Sequence, residues 1–185
     1  MIFQFDARIR EIESPEIWRT LLVPANFSFH HFHNILQAAF GWPNTHLYEF
    51  SPQGIGSGPA IGLTNDFTND IDKNSKRFKL SHYFCRRGEQ IIYTYDLGDR
   101  WEHLITLENI FNTPAKRATC LDGGGACPPE DCGGVRGFDN FKKSINDPSQ
   151  AEHMSIREWA GLKKGQLWNT NEFNKKRTMR ILEVM

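Results

Sequence analysis

The segment QIIYTYDLGDRWEHLITLENI, residues 90–110, constrains the fold more than any other part of the chain. Two runs of alternating apolar and polar residues flank Gly98-Asp99, the composition of a tight turn between antiparallel strands. A two-residue turn there sets a register in which Leu97 pairs with Arg100, Asp96 with Trp101 and Thr94 with His103. Side chains alternate along a strand, so Asp96, Trp101, Thr94 and His103 would share one face, with Asp96 and His103 as diagonal neighbours. A carboxylate beside an imidazole orients the ring and raises its pKa, as a general base or an oriented metal ligand requires. The same arrangement also describes an ordinary ion pair on a polar sheet face.

The N-terminal IFQFDARIREI alternates as well. Phe3, Phe5, Ala7, Ile9 and Glu11 fall on one side and Ile2, Gln4, Asp6, Arg8 and Arg10 on the other, so residues 2–12 form a strand with one buried face. A Ser-Pro turn leads to a second strand around Trp18–Val23, ended by Pro24, and the short link makes the pair antiparallel. In NFSFHHFHNILQAAFGWP, the residues Phe29, Phe32, Leu36, Ala39 and Phe40 recur at helical spacing behind Ser28 as N-cap, with Gly41 and Pro43 as the stop. HLYEFSP supplies a third strand. His30, His31 and His33 have no acidic or histidine partner at i+4, which predicts a solvated helix face.

Residues 53–76, rich in Gly, Asn, Asp, Ser and Thr, predict a long surface loop with one short strand at Ala60–Leu63, and FKLSHYF fits a strand or a turn of helix equally. FDNFKKSIND predicts a helix closed by Asp147-Pro148, MSIREWAGL a shorter one, and NKKRTMRILEVM a terminal helix that packs Ile181 and Val184. The expected class is α+β: a mainly antiparallel sheet with a β-grasp-like N-terminal half (strand, strand, helix, strand), one long helix packed on it and a C-terminal helical segment. With 185 residues and no evident linker, one domain over 1–185 is expected.

Between hairpin and terminal helices lies RATCLDGGGACPPEDCGG. Cys120, Cys127 and Cys132 are spaced C-x6-C-x4-C, looser than the C-x2-C knuckle of zinc sites. Two readings stay open: a tetrahedral zinc completed by Cys85 or His103, or small thiols filling space under a loop. Gly123-Gly124-Gly125 permits close backbone approach, Pro128-Pro129 stiffens the adjoining residues, and Glu130 and Asp131 add two carboxylates. The glycines lack the Lys-Ser/Thr ending of a phosphate-binding loop.

Twenty-two basic residues balance twenty-two acidic ones. Nonspecific nucleic-acid binding draws its affinity from neutralised phosphates, so a DNA-associated accessory role would have to rest on the short run KKRTMR. No stretch approaches the length of a membrane span, the first ten residues alternate instead of forming a signal core, and a cytoplasmic location with reduced thiols is expected.

YDLGDRWEH followed by CLDGGGACPPEDCGG resembles the plasmid pRiA4b ORF-3-like family, whose members show Y-D-x-G-D-x-W-x-H and A-C-P-P-E-D-C-G-G in this order. PEIWRTLLVPANFSFHHFHNILQAAFGWPNTHLYEF is similar to the N-terminal half of that family, with its P-x-I-W-R and G-W-x-x-x-H-L elements. Gly123-Gly124-Gly125-Ala126 departs from a more common Leu-x-G-A before the second cysteine. The resemblance implies an uncharacterised module of mobile-element and stand-alone settings. A recombinase role would need a nucleophilic Ser with a set of Arg residues, and Arg8, Arg10, Ser14 and Arg19 form no such motif.

These residues admit three functional readings. In the first, the hairpin and the cysteine loop form one recognition surface of a binding or interaction module, using Asp96, Asp99, His103 and the aromatics Trp42 and Trp101, both expected to be exposed. In the second, Asp96, Asp99, His103 and Glu130 or Asp131 serve a metal-assisted hydrolase-like enzyme. The third is the DNA-associated role. The first two require that the 96–103 and 120–134 segments meet.

Overall fold

The structure is a computed structural model that describes residues 1–63 and 71–185. Its elements in chain order are β1 (Ile2–Glu13), β2 (Glu16–Pro24), α1 (Phe29–Phe40), β3 (Tyr48–Ser51), β4 (Ile61–Gly62), β5 (Lys73–Asn74), β6 (Gln90–Tyr95), β7 (Trp101–Phe111), β8 (Thr119–Gly124), α2 (Gly134–Ser144), α3 (His153–Trp159) and α4 (Lys175–Glu183). The expected strand at Ala60–Leu63 is β4, a second short strand that the loop expectation lacked is β5, and the part of that expectation on residues 64–70 lies outside the described residues. FKLSHYF contributes one 3-10 turn at Leu80–His82. The strands form one sheet in the order β5-β4-β3-β6-β7-β1-β2-β8, antiparallel throughout except for β4 against β5. The class is α+β. Among the described residues no helix is long and apolar enough to cross a membrane.

Alternation builds the core face of the sheet. Phe3, Phe5, Ala7 and Ile9 of β1, Leu21 and Val23 of β2, Phe50 of β3, and Ile105 and Leu107 of β7 are all buried. Helix α1 lays Phe29, Phe32, Leu36 and Phe40 on this face, with the Phe5 and Phe32 rings 4.8 Å apart. Ser28 caps it by accepting from the His31 amide, and Gly41 closes it at φ 104°. One apolar cluster runs from Phe3 to Leu182. In α4, Thr178 and Leu182 are the buried residues, whereas Ile181 and Val184, expected to pack, are 37% and 86% exposed.

The hairpin register departs from expectation. Tyr95 pairs with Trp101, Thr94 with Glu102 and Tyr93 with His103, leaving a turn of residues 96–100. The core imposes this. Ile91, Tyr93 and Tyr95 must face inward together with Trp101, His103, Ile105 and Leu107, and only the shifted register aligns the two buried sets. Asp96 and Arg100 adopt left-handed φ of 56° and 55°, and Asp96 Oδ1 accepts from the amides of Gly98 and Asp99.

The first part of the cysteine segment is strand β8, paired with β2. Its glycines are demanded by contact: a Cβ on Gly125, at φ 75°, would lie 2.5 Å from the Glu16 carbonyl oxygen. Arg19, 2% exposed, sits beneath. Its Nε donates to the Ala39 carbonyl at 2.8 Å, its Nη1 to those of Trp18 and Gly124 at 2.7 Å, and its Nη2 to that of Gly125 at 3.2 Å. Its guanidinium carbon lies 4.9 Å from the centre of the Phe40 ring and 4.1 Å from that of Phe173. One side chain thus ties α1, β2, the end of β8 and the C-terminal segment together. Replacing it orphans buried carbonyls, so Arg19→Leu is expected to lower unfolding free energy in urea by at least about 3 kcal/mol. Arg19→Lys should recover less than half of that loss, because an ammonium cannot span the fork; full recovery would contradict this role for the guanidinium.

Candidate functional site

Three segments converge at one end of the sheet. The first comes directly after α1. His33, 1% exposed, accepts at Nδ1 from the Tyr93 hydroxyl at 2.8 Å and donates from Nε2 to Asn44 Oδ1 at 2.7 Å. The ring roles are set by Asn44 Oδ1, which can only accept, so Nε2 carries the proton and Nδ1 accepts; the Gln37 amide donates to the same tyrosine oxygen at 2.9 Å. Gln37 Oε1 accepts from the Asn44 amide, fixing Asn44 at φ 61° and projecting Thr45 and His46 outward. His33 is therefore an interior strut, not part of a solvated helix face, while His30 and His31 are half-buried.

The second segment is the 96–100 turn and the third is the stretch after Cys127. Trp42 Nε1 donates to the Pro128 carbonyl at 3.1 Å, Tyr95 OH to Glu130 Oε1 at 2.5 Å, and Thr45 Oγ1 to the same Glu130 oxygen at 2.7 Å. The Gly133 amide donates to Asp99 Oδ2 at 3.0 Å. Gly134, at φ 66°, passes so close that a Cβ would lie 2.6 Å from the Asp99 carbonyl oxygen. The turn and the cysteine loop thus touch through both aspartate and backbone.

Their meeting point surrounds His46. Its Nε2 lies 3.1 Å from Asp131 Oδ1, 3.6 Å from Glu130 Oε1 and 3.7 Å from Asp96 Oδ2. Ligand atoms of His46, Asp96 and Asp131 all fall within 4.8 Å of one another. Glu130 Oε2 is shielded from solvent and has no hydrogen-bond partner. Among the described residues, five non-glycines have positive φ, and four of them (Asn44, Asp96, Arg100 and Asp131) lie in these three segments. Burial and the bond to Glu130 both hold the Tyr95 hydroxyl above its ordinary pKa, so it remains a donor.

Of the residues predicted from sequence, Asp96, Asp99, Glu130 and Asp131 come together here. His103 does not. It faces the core against Phe40 and Trp42, and its Nδ1 donates to the Trp101 carbonyl at 2.9 Å. Burial lowers its pKa to about 4, and the register that turns it inward removes it from Asp96. Trp42 and Trp101, expected on the surface, are 6% and 1% exposed; they brace the site from below.

The thiols do not gather with His103 or Cys85 into a ligand set. Among the described residues the group with metal-ligand spacing is His46, Asp96 and Asp131. Cys85 is exposed near Glu89, Cys120 is buried in β8, and burial raises the pKa of Cys120, of Cys127 and, to about 12, of Cys132. Cys120 belongs to the apolar core, and Cys127 and Cys132 pack against it. His46 carried no local signal beyond its place in the G-W-x-x-x-H-L element.

A family model described as plasmid pRiA4b ORF-3-like protein matches residues 1–177. An uncharacterized protein of Sinorhizobium fredii is 35% identical over 149 residues, covering 80% of this chain and 75% of that protein. A crystal structure of a protein of unknown function from Methanosarcina mazei Go1 is similar over 95% of this chain and 96% of its own, with a TM-score of 0.78 and 30% identity.

The struts beneath the site carry a pH signature. Burial holds His33 and His103 at about 4, against an ordinary 6.5, and lowers His30 and His31 in the same direction. Between those values the unfolded chain binds protons that the folded chain refuses, so stability is full above pH 6.5 and falls as pH drops. From pH 7 to pH 5 each of the two deeply shifted rings should cost about 2 kcal/mol in urea unfolding. His33→Gln should remove about 2 kcal/mol of that pH dependence, and an unaltered dependence would contradict the assignment.

Proposed function

The chain belongs to the plasmid pRiA4b ORF-3-like family, and on that footing we propose that it is a binding module whose site is the junction of the 96–100 turn with the cysteine loop, and that this junction takes a divalent cation. The observation that carries the reading is the approach of three carboxylates to one imidazole nitrogen, at 3.1, 3.6 and 3.7 Å. Carboxylates alone at a surface would be ordinary. Here Asp96 is nearly buried, Glu130 keeps one oxygen shielded and unpaired, and Asp96 and Asp131 both adopt left-handed backbone conformations. A cation answers the crowding of negative charge, since desolvated carboxylates repel one another when nothing neutralises them. The N/O donor set suits Mn2+ or Zn2+ better than a soft thiophilic ion. Free thiols fit the cytoplasmic expectation, and the balanced charge lends the DNA-associated reading no support.

A second reading, metal-assisted hydrolysis, is favoured by the exposure of Asp131, whose side chain is 70% accessible. A cation held there by three protein ligands keeps positions open for water and a substrate, the pattern of catalytic rather than closed structural sites. In this reading His46, not the buried His103, is the imidazole that meets the carboxylates.

Calorimetric titration of chelator-stripped protein should give one site for Mn2+ or Zn2+. Asp131→Asn should weaken it by about tenfold or more and His46→Ala should abolish it. Asp131 is exposed, so its variant should change metal-free stability by no more than about 0.5 kcal/mol. Equal affinity in wild type and both variants would refute the cation reading.

A further inference from the structure

A cavity of about 790 Å³ opens between the last turn of α1, Ala126-Cys127 and the stretch from Trp168 to Thr178. His46, Asp96, Glu130 and Asp131 are not among its lining residues. The volume lies within the range of small-molecule pockets. Its charged side chains are Arg19, which is buried, and Arg177 and Glu172, which are exposed, and the terminal residue Met185 lines it as well. Among the described residues no ion pair involves either arginine. Arg19 has five N–H donors and gives four to backbone carbonyls, leaving one on Nη2. Trp168, also in the lining, has an indole N–H shielded from solvent and without a partner. An unmade hydrogen bond on a buried donor costs about 1–3 kcal/mol, and a buried guanidinium without a counter-charge costs more.

Aromatic walls accompany these donors: Phe40, Trp42 and Phe173 line the same space. Unpartnered donors, arginines outside any ion pair and flat apolar walls describe one complementary class of molecule. We propose that this cavity binds a small aromatic anion, its carboxylate or phosphate head taken by the Arg19, Arg177 and Trp168 donors and its ring lying against Trp42 and Phe173. The head neutralises the desolvated guanidinium and completes the indole bond. The ring supplies apolar burial that inorganic ions cannot.

The test uses indole N–H resonances of the full-length chain, with benzoate, phenyl phosphate and uncharged benzyl alcohol as probes. EDTA is present throughout, so the outcome is independent of the cation site. Saturable movement of the Trp168 resonance is expected with at least one anion, and the preferred anion identifies the head group. Benzyl alcohol should not saturate. Arg177→Gln should weaken binding by about tenfold, and Trp168→Phe, read on the Trp42 resonance, by several-fold. The dispersed spectrum of each variant reports its folding in the same experiment. No saturable shift with either anion up to about 10 mM, equal binding of benzyl alcohol, or unchanged affinity in a folded Arg177→Gln variant would each overturn the proposal.

Discussion

The inward pairing of Tyr93 with His103 and of Tyr95 with Trp101 governs what this molecule can present at its surface. These four side chains are all buried, and together they fix where the strands stop being able to pair. The five residues left over cannot form a two-residue turn. Asp96 therefore folds its carboxylate back onto the amides of Gly98 and Asp99, while its second oxygen points toward His46. Asp99 is carried round to meet the Gly133 amide. A demand of the core thus sends two aspartates of one short turn to two different tasks: one toward the imidazole, the other as a clasp for the cysteine loop.

That loop is rigid for reasons unlike those its composition suggests. Three consecutive glycines invite a flexible reading, yet Gly123 and Gly124 belong to an edge strand, and Gly125 passes the Glu16 carbonyl at a distance no side chain tolerates. Arg19 holds the carbonyls of Gly124 and Gly125 from beneath, and Trp42 holds that of Pro128. Between these anchors Glu130 and Asp131 have little freedom left. Pre-organisation of this kind is what the proposed binding role asks of the junction, because ligand binding would then order almost nothing.

The strands and α1 were legible because their signals are local. Alternation from Phe3 to Ile9, Ser28 before the helix and Gly41 after it report elements whose deciding contacts lie a few residues away. The candidate site was legible as a meeting of segments: Asp96, Asp99, Glu130 and Asp131 stand in two dense motifs that do touch. What escaped depends on partners distant in sequence. His33 looks solvated until Tyr93, 60 residues on, closes over it. His46 has no acidic neighbour within two residues, and its three carboxylates arrive from two later segments. Gly98-Asp99 imitates a two-residue hairpin because nothing in the dipeptide announces that Asp96 will fold back. β8 was hidden because an edge strand rich in glycine shows no alternation.

The proposed cation site requires the turn, the 44–46 segment and the cysteine loop to share one ligand. Paramagnetic broadening by substoichiometric Mn2+ tests that most directly, because the effect falls steeply with distance and reports every amide at once. The amides of His46, of Asp96 to Asp99 and of Asp131 to Gly133 are predicted to vanish together, before any others. Broadening confined to one of these segments, or scattered over surface carboxylates elsewhere, would contradict the shared site.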